Sequence, residues 1–155
     1  MKVAAVRAVK RLTAAAADRG PQLSYLVGRL NRALRRRLTE LLRPYDLSIA
    51  QYTTLSVLST RGQLSNAQLA SRAFMSPQAM NEVVQGLETR KLIARQPSAS
   101  HGRIVELLLT ERGIEAKKSC DAGVAKLEKA MLAELTSAEA ESLRMALIAC
   151  AQALE

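Results

Sequence analysis

The strongest constraint on the fold of this chain is a change of period near residue 92, preceded by three closely spaced helix starts. Ser48-Ile49-Ala50-Gln51 and Ser65-Asn66-Ala67-Gln68 both fit a capping box, in which a serine hydroxyl and a glutamine amide satisfy each other's free backbone donors. Arg61-Gly62 closes the first of these helices. Ser76-Pro77 opens a third, with Ser as N-cap and Pro at the first helical position. Residues 48–91 therefore read as three helices of modest length joined by very short turns. After Lys91 the pattern changes. Leu92 to Gln96 and Arg103 to Leu109 are rich in Ile, Val and Leu, and Pro97-Ser98-Ala99-Ser100-His101-Gly102 between them is turn chemistry. Two strands around a small polar loop predict a β-hairpin.

The flanks are helical. Leu23, Leu26, Val27, Leu30, Leu34, Leu38, Leu41, Leu42 and Tyr45 recur at three- and four-residue steps, which predicts a long amphipathic helix ending before or near Pro44. Its outer face carries Arg29, Arg32, Arg35 and Arg36. At the other end Thr110 caps a return to helix. Cys120, Val124, Leu127 and Met131 form one apolar seam, and Leu143, Leu147, Cys150 and Leu154 form another after a break at Thr136-Ser137. Each of these helices is too short to stand alone. With aromatics at only 3%, the core must be built from aliphatic side chains, which suits packed helices.

Helix, helix, helix, hairpin is the skeleton of a winged helix-turn-helix, so the fold class is mainly α, with a small β-hairpin wing. In such folds the second helix of the motif lies in the major groove of DNA. Here that helix is Ser76 to Arg90. Packing Ala79, Met80, Val83, Val84 and Leu87 inward leaves Gln78, Asn81, Glu82 and Gln85 outward, beside Ser76 and Pro77 at the helix start. A carboxamide both accepts from adenine N6 and donates to N7, worth roughly 1–3 kcal/mol of discrimination per base. The bland alternative is a polar solvent face. Arg103 follows the hairpin loop, where a wing tip reaches the minor groove, whose negative potential attracts Arg. His101 is read as a wing residue touching phosphate, and Arg95 on the preceding strand contacts phosphate or braces the loop; a surface Arg there could equally be only solvated. The net charge of +9 divides as +8 over residues 1–47, +3 over 48–110 and −2 over 111–155. Residues 1–20 form a basic extension, of which residues 1–19 suit phosphate contacts outside the core site.

Several stretches together resemble the MarR family of bacterial transcriptional regulators. They are Leu69-Ala70, Ser76 to Asn81, Leu87 to Arg95, His101-Gly102-Arg103 and Leu109-Thr110-Glu111-Arg112-Gly113, and the resemblance covers roughly residues 22–154. It implies a homodimer, with residues 21–47 and 111–155 as a helical dimerisation region around a winged unit at 48–110. It also implies a pseudo-palindromic operator in double-stranded DNA, usually repression, and release by a small-molecule effector. The family's ligand pocket would have Tyr25, Tyr45 and Tyr52 as neighbours, although all three also suit a core or an interface. Three positions depart from the pattern. His101 stands where the wing Asp is expected, Glu82 where the recognition helix often has Arg, and Lys91 where a Gly usually follows that helix. Glu82 could accept from cytosine N4, and Lys91 leaves the left-handed cap strained or absent.

Other functional classes fit less well. A single histidine, no ligand cluster with metal spacing, no glycine-rich phosphate loop and no nucleophile elbow argue against an enzyme, and no cofactor is expected. Cys120 and Cys150 make neither a disulfide framework nor a metal site. Both read as small hydrophobes on apolar seams rather than redox sensors. No apolar run approaches membrane-spanning length, and basic residues interrupt any signal-like stretch, so a cytoplasmic location is expected. The remaining rivals are a winged helix used for protein contact and an architectural DNA protein without sequence preference.

Overall fold

The structure, a computed structural model, describes residues 20–98 and 104–154. By compactness the chain divides into two units, Met1–Arg37 and Leu38–Glu155. Helix α1 (Leu23–Leu42) begins in the first unit and ends in the second. Within the first unit it exposes Leu23, Leu26, Val27 and Leu30, and the guanidinium of Arg29 lies 5.8 Å from the centre of the Tyr25 ring.

In the second unit α1 runs into a 3-10 turn (Arg43–Tyr45) with proline at its start, where the sequence placed the break. Then follow α2 (Ile49–Arg61), a two-residue strand β1 (Leu64–Ser65), α3 (Asn66–Arg72) and α4 (Pro77–Thr89). The hairpin β2 (Ile93–Pro97) and β3 (Val105–Leu109) comes next, then α5 (Glu111–Met131) and α6 (Ser137–Gln152). This is a mainly α winged helix-turn-helix. Both predicted capping boxes form, with Ser48 accepting from the Gln51 backbone and Ser65 from the Gln68 backbone. Ser76 and Thr110 cap α4 and α5 as expected. A further capping box, Thr136 with Glu139, starts α6, where the sequence was read only as a break.

Strand β1 was not anticipated. It pairs antiparallel with β3, Leu64 opposite Leu107, so the sheet order is β1-β3-β2 and the wing is joined to the start of α3. Beneath the sheet, Leu55, Leu58, Leu69, Met80, Leu87, Leu92, Leu107 and Cys120 form one buried cluster that also takes in Leu42 from the end of α1. Cys120 is the buried hydrophobe expected of it, and burial pushes its thiol pKa up. Cys150 differs. It lies exposed on α6, which buries none of its own residues and leaves Leu143, Met145, Leu147 and Ile148 open in the single chain.

The left-handed cap is present, with Lys91 at φ 58°. Leu92 N–H donates to the Leu87 carbonyl at 2.9 Å and Lys91 N–H to the Glu88 carbonyl at 2.8 Å, the paired bonds of a Schellman ending. A lysine there carries a steric cost of roughly 1–2 kcal/mol that glycine avoids. Glycine is required instead at Gly113, where a Cβ would run into the Leu92 carbonyl. Lys91→Gly should therefore stabilise the fold by about 0.5–1 kcal/mol, once the added unfolded-state entropy of glycine is set against the relief. Gly113→Ala should destabilise it by roughly 1–3 kcal/mol. Urea midpoints of the two variants, moving in opposite directions, check both.

Candidate nucleic-acid interface

Helix α4 is held by its inner face. Met80, Val84 and Leu87 are fully buried, while Ala79 and Val83 are half-buried. The helix packs on α3, α2 and β2. The same rotation leaves Ser76, Pro77, Gln78, Asn81, Glu82 and Gln85 exposed. Gln78, Asn81 and Glu82, and Gln85 follow at helical-turn spacing, so the side chains form one stripe. Ser76 is committed to the helix start, its hydroxyl oxygen accepting from Ala79 N–H at 3.1 Å; the hydroxyl hydrogen remains able to donate. No Lys or Arg occurs between Pro77 and Thr89, so the stripe is a set of amides around one carboxylate. Cations for phosphate must come from outside the helix.

Arg95 does something more specific than the sequence suggested. Its guanidinium makes a two-pronged pair with Glu88, Nε to Oε1 at 2.7 Å and Nη2 to Oε2 at 2.9 Å. The pair ties the last turn of α4 to the first wing strand, and hydrogen bonding to Glu88 raises the Arg95 pKa. Bracing is thus the role its contacts support. Both partners were visible as a Leu-Glu and a strand Arg, but nothing in their spacing announced that they meet. At the wing's base Ser98 N–H donates to the Ile104 carbonyl at 2.8 Å, and Ser98 Oγ to Glu106 Oε1 at 2.8 Å. His101 and Arg103, assigned to the wing tip, lie outside the described residues.

The three tyrosines part company. Tyr25 and Tyr45 are exposed. Tyr52 is half-buried and lines a cavity of about 620 Å³ together with Ser56, Arg61, Arg72 and Phe74. Its hydroxyl donates to Asp121 Oδ1 at 2.9 Å, and Lys117 Nζ donates to the other oxygen of that carboxylate at 2.7 Å, linking α2 to α5. Phe74, 84% exposed, sits on the turn between α3 and α4 at φ 54°.

Known proteins share this arrangement. The model of the MarR family matches residues 45–104. The chain is 38% identical over 121 residues to the HTH-type transcriptional repressor Rv2887 of Mycobacterium tuberculosis (strain H37Rv), covering 78% of this chain and 86% of that one. The chain belongs to the MarR family. This MarR protein is also similar to the solved structure of the M. tuberculosis MarR family protein Rv2887 in complex with salicylic acid, at 33% identity and a TM-score of 0.67, covering 86% of this chain and 98% of that chain. A third likeness, to the Staphylococcus aureus MepR–DNA complex, has a TM-score of 0.78 at 20% identity, covers 86% of this chain and 97% of that one, and speaks for the MarR fold alone.

Burial first, and the hydrogen bond to Asp121 second, push the Tyr52 pKa up to about 12 from 10.0. The folded state thus favours the protonated phenol. Its contribution to stability is complete below about pH 10 and is lost as pH rises through about 12. Ultraviolet titration of the folded protein should show one tyrosine ionising only near pH 12, and Asp121→Asn should bring that step down.

Proposed function

We propose that this chain is a sequence-specific DNA-binding transcriptional regulator that represses as a homodimer. One observation carries the reading: α4 turns a stripe of three carboxamides and one carboxylate outward over a face buried to 0% at Met80, Val84 and Leu87. A helix held so firmly presents a fixed set of donors and acceptors to base edges in a major groove. Gln78, Asn81 and Gln85 read adenine, Glu82 accepts from a cytosine N4 amine, and Ser76 donates to phosphate. Arg103 enters the neighbouring minor groove and His101 touches phosphate beside it. Arg95 acts by holding the wing root. The name of the M. tuberculosis relative supports repression, and a protein solved as a MepR–DNA complex has this fold.

On this reading residues 21–47 and 111–155 carry the dimer contacts and 48–110 the DNA contacts. Twofold symmetry presents the two copies of α4 about 34–36 Å apart to a pseudo-palindromic operator. Residues 1–19 add phosphate contacts outside the core site. The protein works in the cytoplasm and has no catalytic role; none of its described helices is long and apolar enough to cross a membrane. A small effector releases the DNA. The salicylic acid bound by the M. tuberculosis relative supports a small aromatic acid, and the cavity beside Tyr52 has the matching chemistry, with Arg61 and Arg72 for a carboxylate and Phe74 for a ring.

Selection of bound duplexes from a genomic pool tests the reading directly. A sequence recovered as an inverted repeat, and retained against random duplex at fixed salt, is expected; random duplex competing equally well would sink it. Asn81→Ala should weaken binding to that duplex by roughly 1–3 kcal/mol and relax preference at one base, with the fold intact by circular dichroism. Arg103→Ala should lower affinity without changing the dimer, as read by fluorescence anisotropy alongside sedimentation.

A further inference from the structure

Arg90 is the cap residue at the end of α4, and its side chain, 28% exposed, turns to a part of the chain more than forty residues away. Nη2 donates to the Tyr45 carbonyl at 3.1 Å, Nη1 donates to the Asp46 carbonyl, and Nη1 lies 3.8 Å from the Asp46 carboxylate. Both carbonyls belong to the 3-10 turn that ends α1 and to its cap. Carbonyls at such an ending carry partial negative charge and lack helical partners. A planar guanidinium fork matches two neighbouring acceptors in a way that a single ammonium does not.

The two segments joined by Arg90 are each fixed by left-handed geometry. Asp46, at φ 53°, sets the direction in which the chain leaves the turn. Lys91, at φ 58°, sets the direction in which it leaves α4.

We propose that Arg90 is a positioning residue, clamping the end of the recognition helix to the turn at the foot of α1. It thereby fixes how far apart, and at what rotation, the two recognition helices of a dimer stand. The inference rests on the DNA-binding homodimer reading above. Arg90 lies outside the exposed stripe, so it governs registration between half-sites and not the reading of bases.

The test uses the full chain and the duplex that the wild-type protein selects, beside the same duplex with one base pair inserted at its centre. The insertion moves the half-sites apart by about 3.4 Å and rotates one against the other by about 35°. Wild-type protein should lose roughly tenfold or more in affinity on the insertion. Arg90→Ala should lose under about threefold, while its affinity for an isolated half-site stays within about twofold of wild type. Arg90→Lys keeps the charge without the fork and should show a smaller relaxation of the same kind. If either variant folds and discriminates spacing as wild type does, the clamp is overturned while the DNA-binding reading stands. A half-site affinity that falls as steeply as the full-site affinity also overturns it, by marking Arg90 as a general support of the helix. Should Arg90→Ala not fold, Arg90→Lys is judged on the same comparison. A wild-type protein that selects no duplex defeats the parent reading at the first step, before any variant is made, and takes the clamp with it.

Discussion

The rotation of α4 about its own axis decides everything that its outer face can do. Three side chains set it: Met80, Val84 and Leu87, which have no exposed surface and are worth about 2 kcal/mol each as buried apolar groups. A turn of 100° one way would bring Asn81 and Gln85 into a leucine-rich core, where an unpaired carboxamide costs several kcal/mol, and a turn the other way would replace Met80 and Leu87 with the small Ala79 and Gly86. Burial thus does the aiming. The amides need no partners of their own to hold the stripe outward, and that leaves their hydrogen-bonding capacity for a ligand.

Direction, as opposed to rotation, comes from three corners with a common construction. Asp46, Phe74 and Lys91 all lie in the left-handed region, and each follows the end of a helix. After each one the next backbone N–H reaches back to the helix: Leu47 to Leu42, Met75 to Ala70, Leu92 to Leu87. These bonds satisfy carbonyls that a helix end otherwise leaves open, and they turn the chain sharply enough for short helices to pack around one cluster. None of the three residues is a glycine. Asp tolerates the conformation through its short polar side chain, whereas Phe and Lys do so against steric cost.

Much of this was legible in advance. Capping boxes at Ser48 and Ser65 and the Ser-Pro start at position 76 gave helix beginnings to within a residue, because a cap is a local hydrogen-bond pattern that sequence spells out. The exposed stripe followed from helical period alone. Contacts between distant segments were less readable. Strand β1 has two residues and no alternation to detect, and its only evidence is its pairing with β3, over forty positions away. The Arg95–Glu88 pair and the reach of Arg90 to Tyr45 depend on tertiary placement, which no spacing encodes. Cys150 shared a periodic seam with Leu143 and Leu147, and periodicity names a face without saying what covers it.

The sheet order has a mechanical consequence. Because β3 runs in the middle, bonded to β1 on one side and β2 on the other, the hairpin grows out of a root gripped along both edges. Such a root behaves as the fixed end of a cantilever. Any tilt of the beam as a whole must carry β1 with it, and with β1 the Ser65 cap of α3. A load on the hairpin would therefore be felt where the helix-turn-helix begins.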